Sequence, residues 1–289
     1  AENVLKRIEA AGELSKVGDR DAVTSLEEAI HHDSFWGVSA RAAKGLGEIR
    51  TEQAMQALIG GLKVAHPKAR RAVVKALGNF KDEKAFESLR PLAEKDASYF
   101  VEAEVVHAIA RTKAEGAFSL VVDALEKDSF NDIIRCKGLE GFGELDDDEA
   151  LSILYDYSRY GKPELVRAQA LRTLGKMGKS RPENREILEK ISDAFQAPEG
   201  PRSFRAKLAA IQALETLNRE EGLPILKRVA ETELDGRLVR NARLAMRKIE
   251  RGKDKGEAIQ KLEKRLEEFA EESKKLKDRL DKLEQTKGA

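Results

Sequence analysis

The sequence predicts an all-α superhelix: a solenoid of about eight helix pairs over residues 1–250, followed by a separate C-terminal helix. Three observations carry this. Large apolar residues recur at Leu14, Leu46, Leu77, Ile109, Phe142, Leu174, Leu214 and Met246, at steps of 32, 31, 32, 33, 32, 40 and 32 residues. A period of that size marks units that bury their apolar faces only by stacking on neighbours. Aromatic residues make up 5% of the chain and charged residues 36%, with Ala and Leu dominating the apolar set, a composition that suits helices. After residue 256 the repeat gives way to a seven-residue period.

Each unit reads as two helices. In the first helix, Val38, Ala42, Leu46 and Ile49 fall at i, i+4, i+8 and i+11, which is one helical face. The matching sets are Ala69, Val73, Leu77 and Phe80; Ile134, Gly138, Phe142 and Leu145; and Val166, Ala170, Leu174 and Met177. Small residues at the second place allow close helix axes, and large ones at the third fill the seam. Gly47, Gly78, Gly143 and Gly175 follow the large residue, where they relieve crowding or help end the helix. Asp19, Thr51 and Asp82 stand as caps ahead of the second helices. Asp33, Asp96 and Asp128, each with a nearby Ser, are expected to cap the first helix of the next unit. The 40-residue step is expected to hold a longer second helix and a looped insertion between Gly178 and Gly200.

Residues 251–256 form a polar break, and 257–289 an amphipathic helix. Ile259, Leu262, Leu266, Phe269, Ser273, Leu276, Leu280 and Leu283 recur at alternating steps of three and four, an a/d pattern over four heptads. The segment therefore joins two chains as a coiled coil, lies on another part of a larger protein, or stands as a solvated tail.

Bulk numbers exclude several classes. Net charge is +1, and residues 1–250 hold 41 basic and 42 acidic groups, without the excess that phosphate-backbone binding needs. A local basic stripe is still compatible with a neutral total. No apolar run approaches a membrane span, and there is no signal peptide. Cys136 is the only cysteine, so no intrachain disulfide or cysteine zinc site forms, and a cytoplasmic setting fits. The chain opens at Ala1 without Met, as expected of a piece of something longer.

Nothing points to catalysis, a metal or a cofactor. None of His31, His32, His66 and His107 has a second His one turn away, so the His-Glu-x-x-His zinc helix is missing. Walker, dinucleotide and Gly-x-Ser-x-Gly motifs are also missing. His107 reads as a core or half-buried side chain. Cys136 beside Arg135 reads as a small buried residue or, less simply, as a thiol of lowered pKa. Asp146-Asp147-Asp148-Glu149 lacks the spacing and Gly of a calcium loop and suits a helix N-terminus. The aromatics are more informative. Phe35-Trp36, Tyr99-Phe100 and Phe130 occupy the same place in three units, the start of the first helix. They either cover the repeat ends or form an edge for a protein partner, with Arg135 and Tyr160 included and Tyr155 and Tyr157 extending it.

Ala69-Arg70, Ile134-Arg135 and Val166-Arg167, with Ala206-Lys207 as a variant, resemble the HEAT consensus. The stretches Asp33–Val38, Asp96–Glu104, Ser129–Arg135 and Tyr160–Pro163 look more specifically like the C-terminal HEAT-like region of M1-family zinc aminopeptidases. That resemblance covers about residues 1–250. It implies a non-catalytic domain that packs on the peptidase and helps enclose its substrate chamber, with no catalytic residue on this chain. The alternative is a stand-alone protein-binding scaffold dimerised through 257–285.

Overall fold

The computed structural model describes residues 3–196 and 203–253, together with Leu262, Arg265, Leu266 and Phe269. The chain divides into two compact units, Ala1–Thr216 and Leu217–Ala289. In the first, seven first helices run along the stack: α1 (Val4–Val17), α3 (Trp36–Ile49), α5 (Pro67–Leu77), α7 (Tyr99–Thr112), α9 (Ile133–Leu145), α11 (Glu164–Met177) and α13 (Phe204–Leu217). They alternate with second helices α2 (Arg20–His32), α4 (Glu52–Gly61), α6 (Glu83–Glu94), α8 (Ala117–Ala124), α10 (Ala150–Ser158) and α12 (Arg185–Asp193). The second unit holds α14 (Gly222–Thr232) and α15, over residues 236–253. The fold is an all-α solenoid, with no strand among the described residues.

The periodic residues form the core. Leu46, Leu77, Ile109, Phe142, Leu174 and Leu214 are fully buried, each such side chain contributing about 1.5–3 kcal/mol on removal from water. Leu14 is partly buried on α1, which packs against α2 and α3. Met246 on α15 is also partly buried.

First helices pack closely on one another along unit 1, while second helices meet much less. The glycines explain part of this asymmetry. A Cβ at Gly47 would sit 2.9 Å from Ala76 Cβ, and one at Gly78 would sit 2.9 Å from Ala108 Cα. Relief of crowding applies to both, and Gly78 is in addition the C-cap of α5, in right-handed backbone. Chain reversal falls to other residues. Gly18, Arg50, Lys113 and Asp146 take the left-handed conformation at the ends of α1, α3, α7 and α9.

Asp19, Thr51 and Asp82 cap the second helices, accepting from the amides of Ala22, Ala54 and Lys84 at 2.8, 3.2 and 2.8 Å. The expected caps of the first helices differ. Asp33 and Asp96 accept from the amides of Phe35 and Ser98, both at 2.8 Å, and so fold the turn that precedes each helix. The N-cap residues Phe35 and Ser98 make no side-chain cap bond. Asp128 is fully exposed, and the hydroxyl of Ser129 accepts from the Ile134 amide instead.

The expected longer second helix in the 40-residue step is not found. A single 3-10 turn (Gly178–Ser180) is followed by α12, which has only nine residues. Pro182 prevents the chain from continuing as helix past Arg181, and Asn184 restarts it by accepting from the Ile187 amide at 3.3 Å. Residues 197–202 lie outside the described residues.

Within the expected polar break, α15 continues through Arg251, Gly252 and Lys253, and residues 254–256 lie outside the described residues. Gly252 packs against Asn218, where a Cβ would be 2.8 Å from the side-chain oxygen, and Lys253 pairs with Glu220 at 3.1 Å. Of the heptad positions, Leu262, Leu266 and Phe269 are helical and exposed. Ile259, Ser273, Leu276, Leu280 and Leu283 lie outside the described residues.

Candidate docking edge

Phe35, Trp36, Tyr99, Phe100, Phe130 and Tyr160 lie at or just before the starts of first helices, with much of their surface open, whereas Tyr155 and Tyr157 lie within α10. Tyr99 and Phe100 are exposed, with ring centroids 4.5 Å apart. Phe130 and Tyr160 are 68% and 65% exposed. Phe35 and Trp36 are half-buried, 5.5 Å apart.

Sequence reasoning missed the residues of the third repeat that continue this row. His66, the N-cap of α5, stacks on Trp36 with centroids 5.8 Å apart and an interplanar angle of 16°. Lys68 Nζ lies 4.6 Å above the same indole. The signal was position: His66 precedes Pro67 and fills the place that the aromatics fill elsewhere. At the other end, Arg167 stands 5.4 Å from the Tyr160 ring. Lys162 caps Tyr157 at 4.8 Å, whereas Tyr155 contacts Asn184 on the approach to α12, away from the edge.

Arginines beneath the edge hold the repeat ends. Arg70 Nη1 donates to the carbonyls of Val64 and Ala65 at 2.7 and 3.0 Å, just past α4. Arg135 Nε donates to Leu125 at 2.7 Å, past α8, and Arg167 Nε to Ser158 at 3.4 Å, the last residue of α10. Each takes carbonyls at or just past the end of a second helix. Arg135 also pairs with Asp132, so its guanidinium is engaged within its own repeat. In the first repeat Arg7 reaches Asp33 at 2.7 Å, and that hydrogen bond holds the Asp33 carboxyl below its usual 3.8.

Arg135 does not activate Cys136. Burial pushes the thiol up to about 11, so it stays protonated at neutral pH. The Asp146–Glu149 run is organised by Arg181, which reaches Asp146 and Asp148 at 2.5 Å from the following repeat. Asp147 accepts from the Glu149 amide at 2.9 Å ahead of α10.

His107 is buried on α7 with neither ring nitrogen hydrogen-bonded. Carboxylates surround it: Glu104 at 3.9 Å, Glu140 at 3.6 Å and Glu144 at 3.7 Å. Lys137 pairs with Glu140 at 2.8 Å and Lys176 with Glu144 at 2.9 Å, so lysines already balance two of the three. Among the described residues no group of three or more His, Cys, Asp or Glu is arranged to hold a metal ion.

Residues 1–65 and 55–137 match the family model of HEAT repeats. The repeats are HEAT-like. A search of curated proteins returned no match. Among solved structures, the chain is similar to the complex of CpcE and CpcF of phycocyanin lyase from Nostoc sp. PCC7120. The identity is 19% over 86% of this chain and 91% of that one, with a TM-score of 0.49. It is also similar to human deoxyhypusine hydroxylase in complex with glycerol, at 19% identity, 86% and 92% coverage and a TM-score of 0.37. An engineered protein matches at 17% identity, 78% and 98% coverage and a TM-score of 0.37. None of these likenesses transfers an activity to this chain. No comparison links it to M1-family aminopeptidases. No helix among the described residues is long and apolar enough to cross a membrane.

Proposed function

We propose that this HEAT-repeat scaffold is a non-catalytic, cytoplasmic protein-docking module whose working surface is the aromatic edge from Phe35 to Tyr160. The observation that carries the reading is the exposure of Tyr99, Phe100, Phe130 and Tyr160 at the ends of successive repeats. Rings with an open apolar face and little rotamer freedom are effective anchors in protein interfaces. His66 and Lys68 extend the row through the third repeat. A narrower reading makes the partner the catalytic domain of an M1-like aminopeptidase; it rests on the sequence resemblance of residues 1–250 alone.

Replacing Phe130 by a photo-crosslinking phenylalanine tests the edge, with the same residue placed at the exposed Thr24 on α2 as control. A discrete protein adduct from position 130 and none from 24 supports the edge; equal labelling from both removes it. Adduct peptides from a His-Glu-x-x-His peptidase would favour the narrower reading, and peptides from any other protein would exclude it.

A further inference from the structure

Unit 1 opens where α6 and α8 flank a cleft of about 500 Å3. Helix α8 has only eight residues, so it leaves the side of α6 uncovered. Five carboxylates line the cleft: Glu83, Glu87, Glu94, Glu115 and Asp123. Only Glu87 has an ion-pair partner among the described residues, Arg90 at 3.8 Å. Lys127 turns its ammonium onto the carbonyls of Ala93 and Glu94 at the end of α6. The floor is apolar, with Phe86 and Leu120 facing the cleft. It is an acidic groove with a greasy base.

Helix α15 has the complementary character. Residues 236–253 hold seven basic side chains and one acidic one, on a chain whose total charge is +1. Arg240, Arg243, Arg247 and Arg251 stand at i, i+3, i+7 and i+11, one face of the helix. All four are exposed and have no hydrogen-bond or ion-pair partner among the described residues. Leu244, 49% exposed, lies among them. The opposite face is fixed, because Leu238, Ala242, Ala245 and Ile249 are buried. The four arginines span about 16 Å of helix at 1.5 Å per residue, the same length as Glu83 to Glu94 on α6.

We propose that α15 of one copy docks in the α6–α8 groove of a second copy. Its arginines meet the groove carboxylates, and Leu244 rests on Phe86 and Leu120. The contact joins two different surfaces, so each copy offers both a helix and a groove. It is independent of the aromatic edge and of the heptads at 257–285.

The test is sedimentation of the full chain over a concentration series at low and high salt. Mass should rise with concentration at 50 mM NaCl, and 500 mM NaCl should weaken the association at least about tenfold, since exposed charge pairs are screened. R243E/R247E and E115K/D123K should each abolish the rise. An equimolar mixture of the two variants should restore it, because the unaltered helix meets the unaltered groove and the reversed helix meets the reversed groove. All four positions are exposed, and circular dichroism checks that both variants remain folded. A mass unaffected by salt or by either reversal, as a heptad-mediated dimer would give, overturns the proposal. So does a mixture of folded variants that stays unassembled. A wild-type chain that stays monomeric yet binds a short DNA duplex in a salt-dependent way assigns the arginine face to nucleic acid instead.

Discussion

Arg70 on α5 and Asp96 after α6, 26 residues apart, form a two-point pair: Nε donates to Oδ2 at 2.8 Å and Nη2 to Oδ1 at 2.7 Å. With its bonds to Val64 and Ala65, Arg70 ties the loop before α5 to the loop after α6. Both side chains are largely buried. Arg70→Met should therefore destabilise the protein by about 3 kcal/mol, because it leaves the Asp96 carboxylate buried without a counter-charge. Arg70→Met with Asp96→Ala should cost less than the two single changes added together. Urea unfolding gives the size, and hydrogen exchange at residues 62–66 and 95–98 shows whether the loss is local, as expected of a repeat stack.

His107 should make stability depend on pH near neutrality. Burial holds its pKa below the usual 6.5; Lys137 acts in the same direction, while Glu140, Glu104 and Glu144 oppose it. Arg111 on the same helix and Lys176 on α11 complete the charges on that side. The unfolded ring binds a proton more readily than the folded one, so stability is full above about pH 6.5 and falls as the pH drops below it. Urea midpoints between pH 7.5 and 5.5 should fall for the wild type. His107→Gln should flatten that slope, and an unchanged slope would assign the effect to other groups.

Two glycines should respond oppositely to alanine. A Cβ at Gly175 would lie 2.6 Å from the Ala213 Cα, so Gly175→Ala forces α11 and α13 apart and should cost about 1–3 kcal/mol. At Gly60 the nearest atoms are side-chain tips at 3.7 and 3.9 Å, so Gly60→Ala should gain about 0.5–1 kcal/mol from helix propensity. Urea denaturation of both variants checks the signs.

Arg50 and Lys113 end α3 and α7 with φ of 59° and 56°, a conformation that strains side chains with a Cβ. Arg50→Gly and Lys113→Gly should each stabilise by up to about 1 kcal/mol, read as a raised melting midpoint. The same change at Lys44, inside α3, should destabilise by about 1 kcal/mol.

Periodicity by itself determined the stack. Val38, Ala42 and Leu46 share a face at any helical geometry, so their burial together follows from spacing. Pairings between residues 26 or more apart are not encoded in that spacing. Asp33 and Asp96 looked like caps because Asp before a helix usually caps it, whereas the fold brings Arg7 and Arg70 onto them. Arg135 looked like an edge residue, but the end of α8 places the Leu125 carbonyl within its reach. His66 joined the aromatic row only because stacked repeats bring the start of α5 beside Trp36. The arginine face of α15 was hidden in a near-neutral total and emerged once helical geometry showed which side faces water. Local spacing fixes which face of each helix is apolar; only packing between repeats decides which polar groups find one another, because those distances are set by neighbouring helices rather than by the chain between them.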